Sequence, residues 1–425
     1  MRQARPLVLC LGTAIVLGLC HTTPVSALPD VTLWVIQPPG QLVAFDLSDF
    51  SRIGGVRIPP VAYNNPGKLS INGHGQFLVQ LDDDHIWVWD GDSADTLPVA
   101  PDIAPRSDAA IAGGLTPLRQ WLLGDDGKSL FVLQSEAREK ETSGRDTTAS
   151  RLVVRQTDLS QRTLREVFSV VSGPCTRYVE PVGGVPCPEP SMWAPGGTVR
   201  GYFLLTHCEP EPGNEPSDEE PPRGSCHRAR LWGGPRGWQE SELEFGDEAL
   251  PLDATPDGSA WIEVSGESGY GDNEVSDQAI MVSPDTSIVL FDEWTSLRNQ
   301  GYEVSIFPVD ARIAPGSARV AYTLHATASA TDSILVSPDE HPDPSRFAAI
   351  RSSLSDLPMV EVVDVRPRPT RVLRLAHAEL VGWASDSEVI VVEKGRLVGI
   401  DVLTKQQRES GIVVRSPADA FVVWR

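Results

Sequence analysis

His207-Cys208 and Cys226-His227 carry the side chains of this chain best suited to hold a metal or to form a covalent cross-link. Thiolate and imidazole are the ligands of tetrahedral zinc, but this spacing matches no standard zinc finger. Oxidised to a disulfide, the same two cysteines cease to be ligands. Cys175 and Cys187 stand a short way upstream, so four cysteines cluster in one stretch. Four cysteines allow three pairings. Cys175–Cys187 with Cys208–Cys226 is preferred, because each bond closes a local, proline-rich loop. The choice between zinc and disulfide turns on the compartment.

Acidic side chains offer a second chemistry. Asp82-Asp83-Asp84 and Asp90, Asp92 and Asp95 flank one apolar run, and carboxylates of this kind suit Ca²⁺. The calcium-loop pattern fails at Ala94 and lacks its closing glutamate. Turn formation by aspartate side chains explains the same residues, so no cofactor is expected. Trp232 and Trp238 bracket the loop Gly233-Gly234-Pro235-Arg236-Gly237 and are candidate ligand contacts. The chain has no Gly-x-Ser-x-Gly elbow, no His-Glu-x-x-His and no phosphate-binding loop. No catalytic residue is therefore assigned.

The N-terminus settles the compartment. Arg2 and Arg5 precede an uncharged apolar stretch from Pro6 to Cys20, and Val25-Ser26-Ala27 supplies small residues for cleavage before Leu28. The stretch falls short of the ~20 residues of a spanning helix. Leu19 stands where a lipobox before Cys20 would need a small residue. Residues 1–27 are thus read as a signal peptide, and the chain as exported to the periplasm or beyond the cell. An oxidising compartment favours disulfides over zinc. The net charge of −22 repels phosphate backbones, which excludes nucleic acid as a partner. No later stretch is apolar enough to span a bilayer, and a monomer is expected.

Residues 28–425 must build the scaffold, and they repeat. Turns recur at Asn72-Gly73-His74-Gly75, Asp125-Asp126-Gly127-Lys128, Ala194-Pro195-Gly196-Gly197, Thr255-Pro256-Asp257-Gly258, Ala314-Pro315-Gly316-Ser317 and Ala384-Ser385-Asp386-Ser387. Each leads into a short apolar strand such as Phe77-Leu78-Val79 or Val389-Ile390-Val391. A further strand follows, often ending in aspartate: Gln41–Asp46, His85–Asp90, Arg151–Val154, Ala229–Trp232, Gln278–Val282, Asp332–Val336 and Arg396–Asp401. Such self-similarity marks a repeat architecture.

These repeats resemble the WD40-like repeats of the periplasmic TolB type. Thr255-Pro256-Asp257-Gly258 and Ile86-Trp87-Val88-Trp89-Asp90 carry the likeness best. The resemblance implies an all-β propeller and nothing about TolB's own partners. TolB has a small α/β domain ahead of its propeller, whereas strand signals here follow Leu28-Pro29-Asp30 directly. Propeller-bearing peptidases add an α/β-hydrolase domain, for which no segment is evident.

Seven blades are expected, with six and eight as alternatives. Thr32–Pro59 lacks a first strand, and Ala420–Trp424 lacks a partner, so the two should pair and close the ring. Seven blades in 398 mature residues leave about 57 each, above the ~40–45 a blade needs. The surplus is read as loops at residues 136–150, 209–225, 266–277 and 341–358. The functional expectation is a non-enzymatic propeller that binds a protein, peptide or glycan. The alternative is a hydrolase or lyase acting on a sugar or ester at the central channel.

Overall fold

The computed structural model describes residues 30–65, 69–72, 75–82, 85–91, 93–98, 119–124, 126–139, 148–158, 165–174, 191–193, 200–210, 224–234, 237–241, 248–255, 259–268, 275–283, 286–294, 302–330 and 356–424. Its strands fall into seven four-stranded antiparallel sheets, the blades of a β-propeller. Sheet 1 opens with β1 (Val31–Gln37), β2 (Gln41–Asp46) and β3 (Arg52–Arg57). A single helical turn, α1 (Pro60–Asn64), leads to sheet 2: β4 (Leu69–Ile71), β5 (Phe77–Gln80), β6 (His85–Trp89) and β7 (Ala94–Pro98). Sheet 3 comprises β8 (Arg119–Leu123), β9 (Ser129–Glu139), β10 (Thr148–Asp158) and β11 (Arg165–Pro174). Sheet 4 comprises β12 (Ser191–Trp193), β13 (Arg200–Pro210), β14 (Gly224–Gly234) and β15 (Gly237–Ser241).

Sheet 5 follows with β16 (Glu248–Ala254), β17 (Trp261–Ser268), β18 (Val275–Ser283) and β19 (Thr286–Trp294). Sheet 6 is β20 (Tyr302–Ile313), β21 (Arg319–Ala330), β22 (Met359–Asp364) and β23 (Thr370–Ala376). Sheet 7 is β24 (Ala378–Trp383), β25 (Glu388–Glu393), β26 (Arg396–Asp401) and β27 (Gln407–Val413). The chain then returns to sheet 1 as β28 (Ala420–Trp424). There it pairs with β1, Ala420 opposite Val35 and Trp424 opposite Val31. The ring closes through the expected pair of termini.

Each repeated turn joins the first strand of a sheet to its second. The aspartates that end third strands cap the next turn. Asp46 Oδ1 accepts from the Ser48 amide at 2.7 Å, Asp90 Oδ1 from Ser93 at 2.7 Å, and Asp401 Oδ1 from Thr404 at 2.7 Å. The motif therefore encodes turns, as short polar side chains do. Asp82 is likewise engaged locally, 3.0 Å from His85 Nδ1.

Apolar layers lie between sheets, so central strands are buried on both faces. In β1, Trp34 and Ile36 pack toward Phe77, Trp87 and Trp89 of sheet 2. Leu33 and Val35 pack the other way, with Val381, Ile390 and Leu397 of sheet 7. Trp34, Phe77 and Trp89 form an aromatic triad with centroids 4.7 to 5.3 Å apart. Polar stitches join neighbours as well. Asn72 Nδ2 donates to the Gly124 carbonyl at 3.0 Å, the Gly316 amide to Asp386 at 2.5 Å, and Trp424 Nε1 to the Trp383 carbonyl at 2.9 Å.

Two expectations need correction. The third strand of sheet 6 is Met359–Asp364, and Asp332–Val336 lies outside the described residues. Both stretches are short apolar runs, and only the pairing of Met359–Asp364 with β21 marks it as the third strand. The stretches at 136–150, 209–225 and 266–277 are not wholly loops either. Their ends continue the strands, pairing Thr148 with Glu139, Pro210 with Gly224 and Ser268 with Val275. Backbone pairing is indifferent to side-chain polarity, so polar sequence did not end the ladders.

Candidate functional site: the hairpin face and the inner strands

Antiparallel order fixes which turns share a face. Connections from second to third strand emerge on one side, and those from first to second and third to fourth on the other. In sheets 1, 2 and 7 the second and third strands of the blade have four to seven residues. In sheets 3, 4 and 5 they have eight to eleven. In sheet 6 the ladder between β20 and β21 runs on to Tyr302 opposite Ala330. Four consecutive blades thus carry long ladders that extend toward one face. At ~3.3 Å per residue, the surplus amounts to roughly 10–20 Å of projection.

Cys208 and Cys226 are directly opposite in the β13–β14 ladder, with His207 opposite His227 one step below. Facing positions of antiparallel strands bring Cβ atoms within ~4.5–5.5 Å, close to what a disulfide requires. Cys175 and Cys187 lie outside the described residues. Trp232 and Trp238 sit at the far end of the same sheet, Trp238 opposite Gly233 at the β14–β15 turn. That places them toward the face without long hairpins, so cysteines and tryptophans do not converge.

The first strands β16 and β20 contact each other, as do β20 and β24, and they carry a charged group. β16 reads Pro251-Leu252-Asp253-Ala254 and β20 reads Pro308-Val309-Asp310-Ala311. The ladder shifts register between Pro251 and Asp253, and again between Pro308 and Asp310. A β-bulge re-aims the side chain that follows it. Asp253 Oδ2 accepts from the Ile313 amide of the next sheet at 2.7 Å. Arg312 donates through Nη1 to the Ala311 carbonyl at 2.7 Å and lies 3.8 Å from Asp310. On β21, His325 Nε2 stands 3.6 Å from Glu379 Oε1 of β24.

Burial pushes the Asp253 carboxyl above the usual range, opposed by Arg312 and by the Ile313 and Ala254 amides. Asp310 is raised too, by burial against the pull of Arg312 and His325. Nearly half of its side-chain surface still meets solvent, so water screens the effect. Of the two raised carboxyls, only Asp310 has an imidazole, that of His325, acting on it. Here Asp253 also ties neighbouring blades together. Among the described residues, no cluster of histidine, cysteine and carboxylate side chains could hold a metal ion.

These residues escaped sequence reasoning because Asp310, His325 and Glu379 belong to different strands, and no local motif links them. One signal was present: the phrase Pro-x-Asp-Ala occurs within two first strands, at 251–254 and 308–311, and a third time at 417–420, where β28 begins.

No protein-family model matches the chain. No curated protein matches it either. Solved structures resemble it at low identity. An acylaminoacyl peptidase from Pyrococcus horikoshii is 12% identical, with a TM-score of 0.40, over 91% of this chain and 51% of that one. The β-propeller domain of the Trilobed protease from Pyrococcus furiosus, described as having an open velcro topology, is 9% identical, TM-score 0.40, over 91% and 93%. A protein from Lactobacillus plantarum is 11% identical, TM-score 0.43, over 93% and 99%. The chain spans about half the length of the acylaminoacyl peptidases it matches.

Proposed function

We propose that this chain is an exported, non-enzymatic β-propeller scaffold that binds a protein, peptide or glycan on the face bearing its long hairpins. One observation carries the reading: four consecutive blades extend their ladders on the same side, while the other three keep short turns. Ring closure does not require that extension. Loops held on a rigid scaffold are where binding residues concentrate. Export is supported by Arg2, Arg5, the apolar stretch to Cys20 and the small residues Val25-Ser26-Ala27. The mature chain should begin at Leu28, which intact-mass measurement of the exported protein reads directly.

The binding reading is tested with photo-crosslinking residues. One set replaces positions in 140–147, 211–223 and 269–274, and a control set replaces Leu403 and Thr404 on the opposite face. Cross-linking in the native exported fraction should give a discrete adduct from the first set alone. Shortening the β13–β14 hairpin should abolish it. Equal products from both faces, or none from either, overturn the reading.

A second reading rests on Asp310 and His325: a hydrolase or lyase acting on a sugar or ester from the inner strands. It requires turnover of chromogenic esters or glycosides that His325→Ala removes. Turnover unaffected by that change rules the residue out.

A further inference from the structure

Between β19 of sheet 5 and the facing side of sheet 6 lies a cavity of about 440 Å³. Leu290, Ile306, Leu324, Met359 and Val363 give it apolar walls. Glu361 stands among them, only 5% exposed. The Tyr322 hydroxyl donates to its Oε2 at 3.0 Å, and Arg371 Nη1 donates to its Oε1 at 2.8 Å. Arg374 Nε lies 3.5 Å from the same oxygen and also donates to the Met359 sulfur. Burial and the Glu361 charge push the Tyr322 phenol far above its ordinary range, so it remains a proton donor.

The charges do not balance. One carboxylate faces two guanidinium groups, leaving one positive charge on the polar side of this cavity in a chain of net charge −22. Arg371 and Arg374 are about half exposed. Among the described residues they donate only to Glu361 and Met359, and a guanidinium has five N–H donors. Pairing Glu361 would need a single arginine. Breaking such a pair leaves an uncompensated charge, but retaining it adds little stability over apolar packing.

We infer that this cavity binds a small organic carboxylate with an apolar body. Its tail lies against Leu290, Leu324 and Val363, and its carboxylate meets Arg371 and Arg374. Guanidinium and carboxylate are matched for paired hydrogen bonds. The volume falls within the ~300–1,000 Å³ of small-molecule sites. A free aliphatic acid and the C-terminus of a peptide ending in an apolar residue share this chemistry. The site is separate from the hairpin face and stands whether or not that face binds a partner.

Calorimetric titration of the mature chain tests it, with octanoate, octanol, octylamine, and acetyl-Gly-Gly-Leu as acid and as amide. One of the two carboxylates should saturate at one site with a Kd below about 1 mM, the uncharged and cationic probes binding at least about tenfold more weakly. Tighter binding of octanoate identifies a free acid, and tighter binding of the peptide acid a chain terminus. R371Q/R374Q should weaken binding about tenfold or more. Ile306→Trp, which fills the cavity and keeps both arginines, should block it in a protein that still melts cooperatively. No saturable carboxylate binding, equal binding of octanol, or indifference to both variants overturns the inference.

Discussion

Asp253 carries a cost and a function in one side chain. Its carboxyl is raised by burial, yet it accepts the Ile313 amide that joins sheets 5 and 6. A carboxyl raised in the folded state takes up its proton more readily there than in the unfolded chain. Its contribution to stability is therefore full below the unfolded value of 3.8 and is lost as pH rises through the folded value. Asp253→Asn keeps an acceptor for the Ile313 amide and removes the charge. The variant should melt at or above the parent temperature at pH 7, and the gap should close as pH falls toward 3.8. A gap that widens on acidification would contradict the assignment. Trp34 illustrates the apolar counterpart. It is fully buried and meets Phe77 and Trp89 edge-on, so Trp34→Ala should cost about 3–5 kcal/mol in denaturant unfolding.

At the scale of elements, the β13–β14 hairpin yields the clearest expectation. Cys208 and Cys226 face each other just below the segment 211–223. Non-reduced peptide mapping of the exported protein should find them linked. A linkage from Cys208 to Cys175 would refute that pairing. That hairpin extends its blade past the length of the ladders in sheets 1, 2 and 7. Replacing Glu209–Ser225 and both flanking cysteines by a short glycine-containing turn should leave a cooperative melt. The loss should stay within the ~2–4 kcal/mol typical of one disulfide. The β25–β26 turn shows the opposite economy. Lys394 and Gly395 both adopt positive φ, 51° and 75°, the two-residue geometry that matches strand twist. Asparagine tolerates that region better than lysine, so Lys394→Asn should raise the melting temperature slightly.

For the whole molecule, closure matters most. β28 supplies the strand that sheet 1 lacks, and Trp424 Nε1 reaches across to the Trp383 carbonyl of sheet 7. Arg415 adds a link between the ends, donating to Asp419 at 2.8 Å and to the Tyr63 carbonyl at 3.2 Å. Deleting Ser416–Arg425 exposes β1 along an unpaired edge and opens both apolar layers of sheet 1. The entire domain should lose stability, not one end. Equal thermal midpoints for the full and shortened chains would contradict cooperative closure.

The sequence by itself determined the fold class, the repeat, the turn positions and the pairing of the termini. All four rest on local signals: glycine and aspartate at turns, apolar runs between them, and a first repeat missing one strand. It did not show that polar stretches such as Glu136–Glu139 stay in the ladder, since hydrogen bonding between backbones carries no side-chain signature. It misplaced the third strand of sheet 6, because two short apolar runs follow β21 in the sequence and only backbone pairing tells them apart. Only the tertiary structure gathered Asp253, Asp310, His325 and Glu379 on strands of three neighbouring sheets. Only it set Leu290 of one blade against Arg371 and Arg374 of the next. A propeller packs blades face to face, so its sites join residues that the chain separates by a whole repeat.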